Sequence, residues 1–257
     1  MKAIKIAAVI PARLASSRFP RKVLYDFCGL PMLEHVRKRA EISKVFNAGV
    51  YVATCDQEVF DLVKKNGGNP VMTSDSHING TSRVAEAMKN INCSHVLVLQ
   101  ADEPLIMPWH FKEFIKQIQQ NPQFQVWNAI ADIQESQDLK NTTIVKCAIS
   151  LSNKILFCFR GTPFVSEFNF QSEYVKKMLG LIAFSKKAIT EISQTPPDAI
   201  ESNESIEQMR IISSTYDMGA INLGESMPSV NLISDADLVM KEMTSNKDQL
   251  KILKAYC

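Results

Sequence analysis

Along the first 125 residues, short continuous apolar runs alternate with segments in which apolar residues recur at helical spacing. Continuous apolar runs predict strands over 4–10, 49–54, 70–72 and 95–99. Between these runs, apolar residues recur every three or four positions, which predicts helices over 31–45, 56–66 and 81–91. Strands that alternate with helices in this way form right-handed βαβ units around a parallel sheet. The sequence therefore predicts an α/β fold.

After about residue 125 the pattern becomes mixed. Apolar runs predict strands over 126–130, 144–151, 154–159 and 180–184, and Ser152-Asn153 predicts a hairpin between the second and the third. Helical periods predict helices over 185–193, 205–212 and 235–243, the last capped by Ser234 or Asp235. The polar stretch 198–205, which follows Pro196-Pro197, is interpreted as a loop within the fold.

Three polar segments follow predicted strands directly, and their positions indicate where a ligand would bind. These are residues 11–24, 73–83 and 100–104. In open α/β sheets, ligands bind beyond the carboxyl ends of the strands. We therefore expect the three segments to meet at one edge of the sheet.

Composition and charge exclude several classes of protein. Hydrophobic residues make up 46% of the chain and charged residues 22%, as in an ordinary globular enzyme. The net charge is only +2 despite 29 basic residues, so we expect no binding of nucleic acid as a polyanion. Charges or Pro11 interrupt each apolar run, so we expect no membrane span and a cytoplasmic location. The six cysteines form no CxxC pair, which favours buried reduced thiols over metal or disulfide chemistry.

The segment 10–24, IPARLASSRFPRKVL, has the chemistry of a phosphate-binding loop. It carries four cations and two hydroxyls, namely Arg13, Ser16, Ser17, Arg18, Arg21 and Lys22. Arginine forks and a lysine point charge can neutralise a triphosphate. The glycines of common phosphate loops are missing, so a solvated basic loop remains an equal alternative on composition alone.

This segment resembles the N-terminal signature of the 3-deoxy-manno-octulosonate cytidylyltransferases, which make CMP-sugar acids from CTP. Further matching blocks follow in order: Gly29-Leu-Pro-Met-Leu-Glu-His-Val36, Val52-Ala-Thr-Cys-Asp56, Met72-Thr73 with His77, Gly80-Thr81-Ser-Arg83, Gln100-Ala-Asp-Glu-Pro104, and weaker matches to Ser205-Ile-Glu-Gln-Met-Arg210. The resemblance implies a Rossmann-like, mixed but mostly parallel sheet of the nucleotide-diphospho-sugar transferase type, with a small β-rich segment for dimerisation and acceptor binding. It also implies a single domain over 1–257, with a nucleotide-binding half (1–125) and an acceptor-binding and dimerisation half (126–257).

The function implied by the resemblance is transfer of CMP from CTP to a sugar acid, with Mg²⁺ as cofactor and release of pyrophosphate. The implied partners are CTP, a small sugar acid and a second copy of the chain, joined partly through residues 140–175. Two alternatives stay open. One is a non-catalytic nucleotide-binding homologue, and the other is a nucleotidyltransferase that uses a sugar phosphate or alditol phosphate.

The resemblance also assigns site residues. The implied nucleotide-binding residues are Ala12, Arg13, Ser16, Lys22, Ser74, Gly80, Thr81, Arg83 and Gln100; the implied catalytic residues are Arg13, Lys22 and Asp102; the implied sugar-binding residues are Arg160, Glu207 and Gln208. From the residues alone, 73–83 could instead be a polar loop that caps the next helix through Thr81. Arg160 could likewise be an exposed residue at a strand end.

Asp102 is the candidate ligand for Mg²⁺, because its carboxylate follows the strand HVLVL at the ligand-binding edge. A helix cap or a turn is its alternative role. The hypothesis requires Lys22 and Asp102 to lie close together around the triphosphate. The second metal ligand of the family has no clear counterpart: an ungapped match places Ile233 there, whereas a shifted one places Asn231 there or lets Asp235 reach the metal.

The chain departs from its relatives on the acceptor side. Met178 and Ile182 stand where similar proteins usually carry His and Tyr, so a sugar hydroxyl would lose its partner there. This difference implies an acceptor other than 3-deoxy-manno-octulosonate, or a chemically altered form of it. Arg21 stands where the family usually has Gly, and Cys55 stands where relatives commonly have an acidic residue.

Overall fold

A computed structural model describes residues 4–16 and 18–256 of the protein; Ser17 and Cys257 lie outside the described residues. The strands are β1 (Ile6–Ala12), β2 (Asp26–Phe27), β3 (Leu30–Pro31), β4 (Val50–Thr54), β5 (Asn69–Met72), β6 (His95–Leu99), β7 (Val126–Asp132), β8 (Lys146–Ile149), β9 (Ile155–Phe159), β10 (Val175–Ser185) and β11 (Met218–Asn222). The helices are α1 (Met32–Ser43), α2 (Gln57–Lys65), α3 (Gly80–Ala87), α4 (Pro108–Gln120), α5 (Ser136–Lys140), α6 (Phe168–Tyr174), α7 (Lys186–Ile192), α8 (Ala199–Glu204), α9 (Gln208–Ile212), α10 (Asp235–Ser245) and α11 (Lys247–Leu253).

The chain divides into two compact units, Met1–Ile115 with Met227–Cys257, and Lys116–Ser226. In the first unit the larger sheet has the order β6-β1-β4-β5 with every pair parallel, and β2 and β3 form a separate antiparallel pair. The strand β1 is central, with Ala8 opposite both Val50 and Leu97. Its residues are buried apart from Pro11, as expected for a parallel strand that is covered on both faces. The predicted α/β fold with parallel βαβ units is confirmed.

The helix predicted over 81–91 begins one residue earlier and ends at Ala87. Asn79 caps it, since its Oδ1 accepts a hydrogen bond from the backbone N–H of Ser82 at 2.9 Å. The interpretation of Thr81 as the cap is therefore wrong. Thr81 lies inside the helix and is only 4% exposed.

The C-terminal segment packs within the first unit. Gln249 of α11 donates from Nε2 to the carbonyl of Leu105 at 2.9 Å, and the hydroxyl of Tyr256 lies 2.8 Å from Nδ1 of His35. By resemblance, residues 227–257 belong to the acceptor half 126–257, and that division stays a prediction. The two side-chain contacts join residues more than 140 positions apart.

The second unit holds a sheet in the order β11-β7-β10-β8-β9, in which only the β11–β7 pair is parallel. The predicted hairpin is confirmed as β8 and β9, and Asn153 in its turn has a φ of 56°. The predicted loop 198–205 is wrong, since it contains α8, which Asp198 caps through the N–H of Glu201 at 2.7 Å. Across residues 4–16 and 18–256, no helix has the length and apolar character that a membrane crossing requires.

Candidate functional site

A cavity of about 260 Å³ lies at the carboxyl end of β1 and β6 in the first unit. Its lining residues are Pro11, Ala12, Arg13, Ala15, Ser16, Arg18, Lys22, Val23, His77, Asn79, Gly80, Arg83, Gln100, Ala101 and Asp102. These residues belong to the three polar segments that follow strands. The predicted convergence of those segments is confirmed.

Lys22 and Asp102 form an ion pair at this cavity. Lys22 Nζ lies 2.8 Å from Asp102 Oδ2 and donates a second bond, also of 2.8 Å, to the carbonyl oxygen of Val230. The two side chains are 13% and 27% exposed, so water screens the pair only in part. The close approach that the sequence hypothesis required is present.

The cations of the segment 10–24 do not all face the cavity. Arg13, Arg18 and Lys22 line it, whereas Arg21 pairs with Glu58 of α2 beside a separate groove. Arg21 has a φ of 58°, in the left-handed region that favours glycine. This backbone geometry would suit the glycine that the resemblance implies at this position.

A carboxylate of the neighbouring βα connection holds the segment in place. Asp56 Oδ2 accepts a hydrogen bond from the backbone N–H of Leu14 at 2.8 Å. The hydroxyl of Ser16 lies 3.4 Å from the N–H of Phe19, within the same segment. Sequence reasoning quoted Asp56 as part of a matching block but gave it no role. Its position directly after β4, at the same sheet edge, was the signal that could have assigned one.

Gly80 permits close packing at the second wall of the cavity. A Cβ at this position would lie 3.0 Å from Cγ of Pro11 and 3.7 Å from Nε2 of Gln100. Any larger residue would therefore press on Pro11, whereas its contact with Gln100 would be an ordinary one. The role of Gly80 in close approach to a base stays a prediction.

The segment 73–83 is tied together by Arg83. Its buried guanidinium donates from Nη1 to Thr73 Oγ1 at 2.7 Å and to the carbonyl of Ser74 at 3.1 Å. Arg83 lines the cavity, but the described cavity-lining residues do not include Ser74 or Thr81. Sequence reasoning gave His77 and Asn79 no role, although both of them line the cavity.

The three predicted sugar-binding residues lie in the second unit. The guanidinium of Arg160 donates to the carbonyls of Glu204 at 2.9 Å, Thr142 at 3.0 Å and Ser205 at 3.1 Å. These three bonds anchor the guanidinium of Arg160 to the backbone. The contacts give Arg160 a structural role, and its sugar-binding role stays a prediction.

Glu207 and Gln208 lie at the start of α9. Gln208 Nε2 is 3.5 Å from Oδ1 of Asn128 on β7. Met178 and Ile182 lie on β10, where the pairing with β7 shifts register between them, and both side chains are buried. The apolar character expected for these positions is thus kept in the interior of the unit.

The region of the second metal ligand lies next to Asp102. The backbone N–H of Val230 donates to the carbonyl of Asp102 at 3.0 Å, which places Asn231 one residue away. The Asp235 carboxylate is engaged with the N–H groups of Asn231 and Leu232, both at 2.8 Å. Ile233 is 65% exposed. Which of Asn231, Asp235 and Ile233 corresponds to the second ligand stays a prediction.

A parallel sheet whose carboxyl edge carries three cations and a carboxylate defines an α/β protein of the nucleotide-binding class. The sequence model of a family described as cytidylyltransferase matches residues 7–218 of the chain. The chain belongs to this cytidylyltransferase family.

Individual relatives agree with this assignment. A 3-deoxy-manno-octulosonate cytidylyltransferase of Geobacter sulfurreducens is 30% identical over 93% of this chain and all of its own length. An 8-amino-3,8-dideoxy-manno-octulosonate cytidylyltransferase of Shewanella frigidimarina is 32% identical over 81% of this chain and 86% of its own.

A solved structure also shares the fold. CMP:2-keto-3-deoxy-manno-octonic acid synthetase complexed with CTP is 29% identical to this chain and superposes with a TM-score of 0.85. The match covers 93% of this chain and 98% of that one. The predicted nucleotide-diphospho-sugar transferase type of fold is confirmed, as is the predicted cytidylyltransferase class.

Proposed function

We propose that the protein transfers CMP from CTP to a sugar acid, with Mg²⁺ as its cofactor. The observation that carries this proposal is the pairing of Lys22 Nζ with Asp102 Oδ2 at 2.8 Å inside a cavity lined by further cations. A hydroxyl oxygen of the acceptor bonds to the α-phosphorus of CTP and loses its proton to solvent. The bond from the α-phosphorus to the bridging oxygen breaks, and pyrophosphate leaves.

The cavity residues have separate roles in this reaction. Arg13 and Arg18 hold phosphate oxygens through planar forks, and Lys22 acts as a point charge beside them. Negative charge grows on the transferred phosphoryl group and on the leaving oxygens, so fixed cations stabilise the transition state more than the bound substrate. Gly80 and Gln100 shape the wall that receives the rest of the nucleotide.

The oxygens around Lys22 suit a divalent cation. Among the described residues there is no group of three or more His, Cys, Asp or Glu side chains that could form a complete metal cage. Mg²⁺ is usually held by one or two carboxylates together with substrate phosphates and water. Asp102 would hold the ion, which would neutralise charge on the triphosphate. The Asp102 carboxylate and the Val230 carbonyl already surround one cation, the ammonium of Lys22.

The acceptor is proposed to differ from 3-deoxy-manno-octulosonate. Met178 and Ile182 offer no hydrogen bond where relatives are expected to have polar side chains. A site of this kind would favour a sugar acid with a deoxy or substituted carbon at the corresponding position. A panel of acceptors should therefore include amino-substituted and N-acylated ulosonic and nonulosonic acids.

The proposal is tested by pyrophosphate release with CTP, Mg²⁺ and that panel. We expect release with at least one acid, and a fall of about 100-fold or more in kcat for both Lys22→Met and Asp102→Asn. Asp61→Asn is the control, because Asp61 is an exposed carboxylate of α2 that accepts a bond from Gln57. CTP binding without release would indicate the non-catalytic homologue. A preference for UTP or GTP in competition would contradict the proposal.

We also propose that the protein forms a homodimer through the segment 151–170. Five large apolar side chains of this segment are exposed, namely those of Leu151, Leu156, Phe157, Val165 and Phe170. Clustered exposed apolar residues are typical of protein interfaces. Sedimentation velocity should give the mass of two 28.8 kDa chains. Phe157→Asp should shift the protein to one chain, whereas Leu238→Asp, at an exposed position of α10, should leave the mass unchanged.

A further inference from the structure

Two side chains of α3 hydrogen-bond the backbone of Ser74, one at its carbonyl and the other at its N–H. Arg83 donates from Nη1 to the Ser74 carbonyl at 3.1 Å. The carboxylate of Glu86 accepts the Ser74 N–H, at 3.2 Å from Oε2 and 3.3 Å from Oε1. Arg83 and Glu86 are three positions apart and so lie on the same face of α3. Two opposite charges on one helix thus fix the peptide segment that leads to the cavity-lining His77.

Glu86 also holds a cavity-lining side chain. Its Oε2 is hydrogen-bonded to Nε2 of His77. The hydrogen bond from His77 lowers the pKa of Glu86, so the carboxylate is ionised at neutral pH. An ionised carboxylate only accepts, and Nε2 therefore carries the hydrogen. The ring of His77 is thereby held in one orientation at the cavity.

We propose that Glu86 is a positioning residue for the nucleotide, which acts through His77 and Ser74 to hold the cavity wall in its ligand-receiving shape. This inference rests on the proposed function, since the ligand it concerns is CTP. It adds a residue to which sequence reasoning gave no role. The signal that could have pointed to Glu86 is its spacing of three residues from Arg83 on a predicted helix.

The expected effect is on binding rather than on the chemical step. A wall segment that is not held in place must become ordered when the nucleotide binds, and the binding free energy is reduced by that cost. The wall contacts substrate and transition state alike. Loss of Glu86 should therefore raise KM and Kd for CTP while kcat changes little.

Three variants test this. Glu86→Ala removes every bond, Glu86→Gln keeps one oxygen acceptor, and His77→Gln removes the ring. Calorimetry should show Kd for CTP raised about tenfold in Glu86→Ala and less in Glu86→Gln, with kcat within about twofold of the unsubstituted chain. The double variant Glu86→Ala with His77→Gln should match Glu86→Ala alone, because coupled residues are not additive. Asp61→Asn again serves as the control.

Two results would overturn the inference. One is a Kd for Glu86→Ala within about twofold of the original, and the other is a double variant whose effect is the product of the single effects. A measurement made without nucleotide distinguishes failure of the Glu86 inference from failure of the proposed function. Amide hydrogen exchange at Ser74 should be faster in Glu86→Ala than in the unsubstituted chain. Unchanged exchange would refute the role of Glu86, whereas absence of CTP binding by the unsubstituted chain would refute the function.

Discussion

At the scale of single residues, the candidate chemistry depends on an ammonium group between two oxygens. Lys22 donates to the side chain of Asp102 and to the backbone of Val230. The first contact fixes a cation beside a carboxylate, and the second joins this pair to the segment that precedes α10. Under the proposed function, a substitution near Val230 should change the magnesium requirement and leave the cations of the segment 10–24 in place.

Asn231→Asp should lower the Mg²⁺ concentration needed for half-maximal activity by about tenfold, because a carboxylate binds Mg²⁺ more strongly than a neutral amide. Ile233→Asp is the matched variant, since it adds the same charge two residues further along. It should leave the Mg²⁺ requirement unchanged, as Ile233 is 65% exposed. Magnesium titrations of pyrophosphate release check both. A lower Mg²⁺ requirement in Ile233→Asp, together with no change in Asn231→Asp, would assign the second ligand to position 233.

His35 should make stability depend on pH. Burial lowers the pKa of His35 to about 4, whereas an unfolded histidine titrates near 6.5. Between these values the unfolded chain binds more protons, so the free energy of unfolding falls as the pH falls from about 6.5 to 4, by about 3 kcal/mol. Urea unfolding at pH 7, 5.5 and 4 measures this change.

The control for that experiment separates titration from packing. In His35→Gln, the free energy of unfolding should depend less on pH between about 6.5 and 4. Tyr256→Phe removes the hydroxyl that contacts His35, so it should lower the free energy of unfolding at every pH but keep its slope against pH. An equal slope in the original chain and in His35→Gln would show that other groups cause the acid sensitivity.

At the scale of elements, strands and helices place the site through close backbone packing as well as through polar bonds. The strand β11 illustrates the steric part. A Cβ at Gly219 would lie 2.6 Å from Cδ2 of Phe124, which is buried. The ring can move only if neighbouring core residues move too.

Gly219→Ala should therefore destabilise the protein by about 1–3 kcal/mol, the usual cost of overpacking a core. Gly161→Ala is the matched control, because a Cβ at that position meets nothing within 4 Å. Chemical unfolding monitored by circular dichroism gives both values. Equal stabilities of the two variants would contradict the steric explanation.

The sequence predicted strands and helices correctly where a short stretch of residues specifies the element. The strand His95–Leu99 and the hairpin of β8 and β9 follow the predicted positions, since five-residue apolar runs and a turn dipeptide specify them. The helix α8 was missed because it is only six residues long and four of these are polar, and its cap Asp198 was interpreted as part of a loop. The cap of α3 was also misassigned, as Asn79 and Thr81 are both reasonable caps by residue type.

At the scale of the whole molecule, the cores of the two units protect most of the described thiols. Cys93, Cys147 and Cys158 are buried, whereas Cys28 is exposed and Cys55 is partly exposed. Burial raises the pKa of Cys147 to about 12, and the pKa of Cys158 is raised by the same cause. The thiolate, which is the reactive form, is therefore scarce at these positions.

Alkylation with iodoacetamide at pH 8 should modify Cys28 and Cys55 in the folded protein. Cys147 and Cys158 should react only after unfolding in urea, because both access and ionisation require opening of the core. Peptide mass spectrometry locates the labels. Labelling of Cys147 at the rate of Cys28 would show that the second unit opens readily.

The sequence by itself determined the α/β class, the parallel strands of the first unit and the meeting of three polar segments at one sheet edge. These features depend on periods and turn residues within short windows of the chain. The tertiary structure alone decided that Arg21 turns towards Glu58, that Glu86 holds His77, and that residues 227–257 pack with the first unit. Such contacts join residues up to 221 positions apart, as in His35 with Tyr256, and are set by packing and backbone angles that no local pattern encodes.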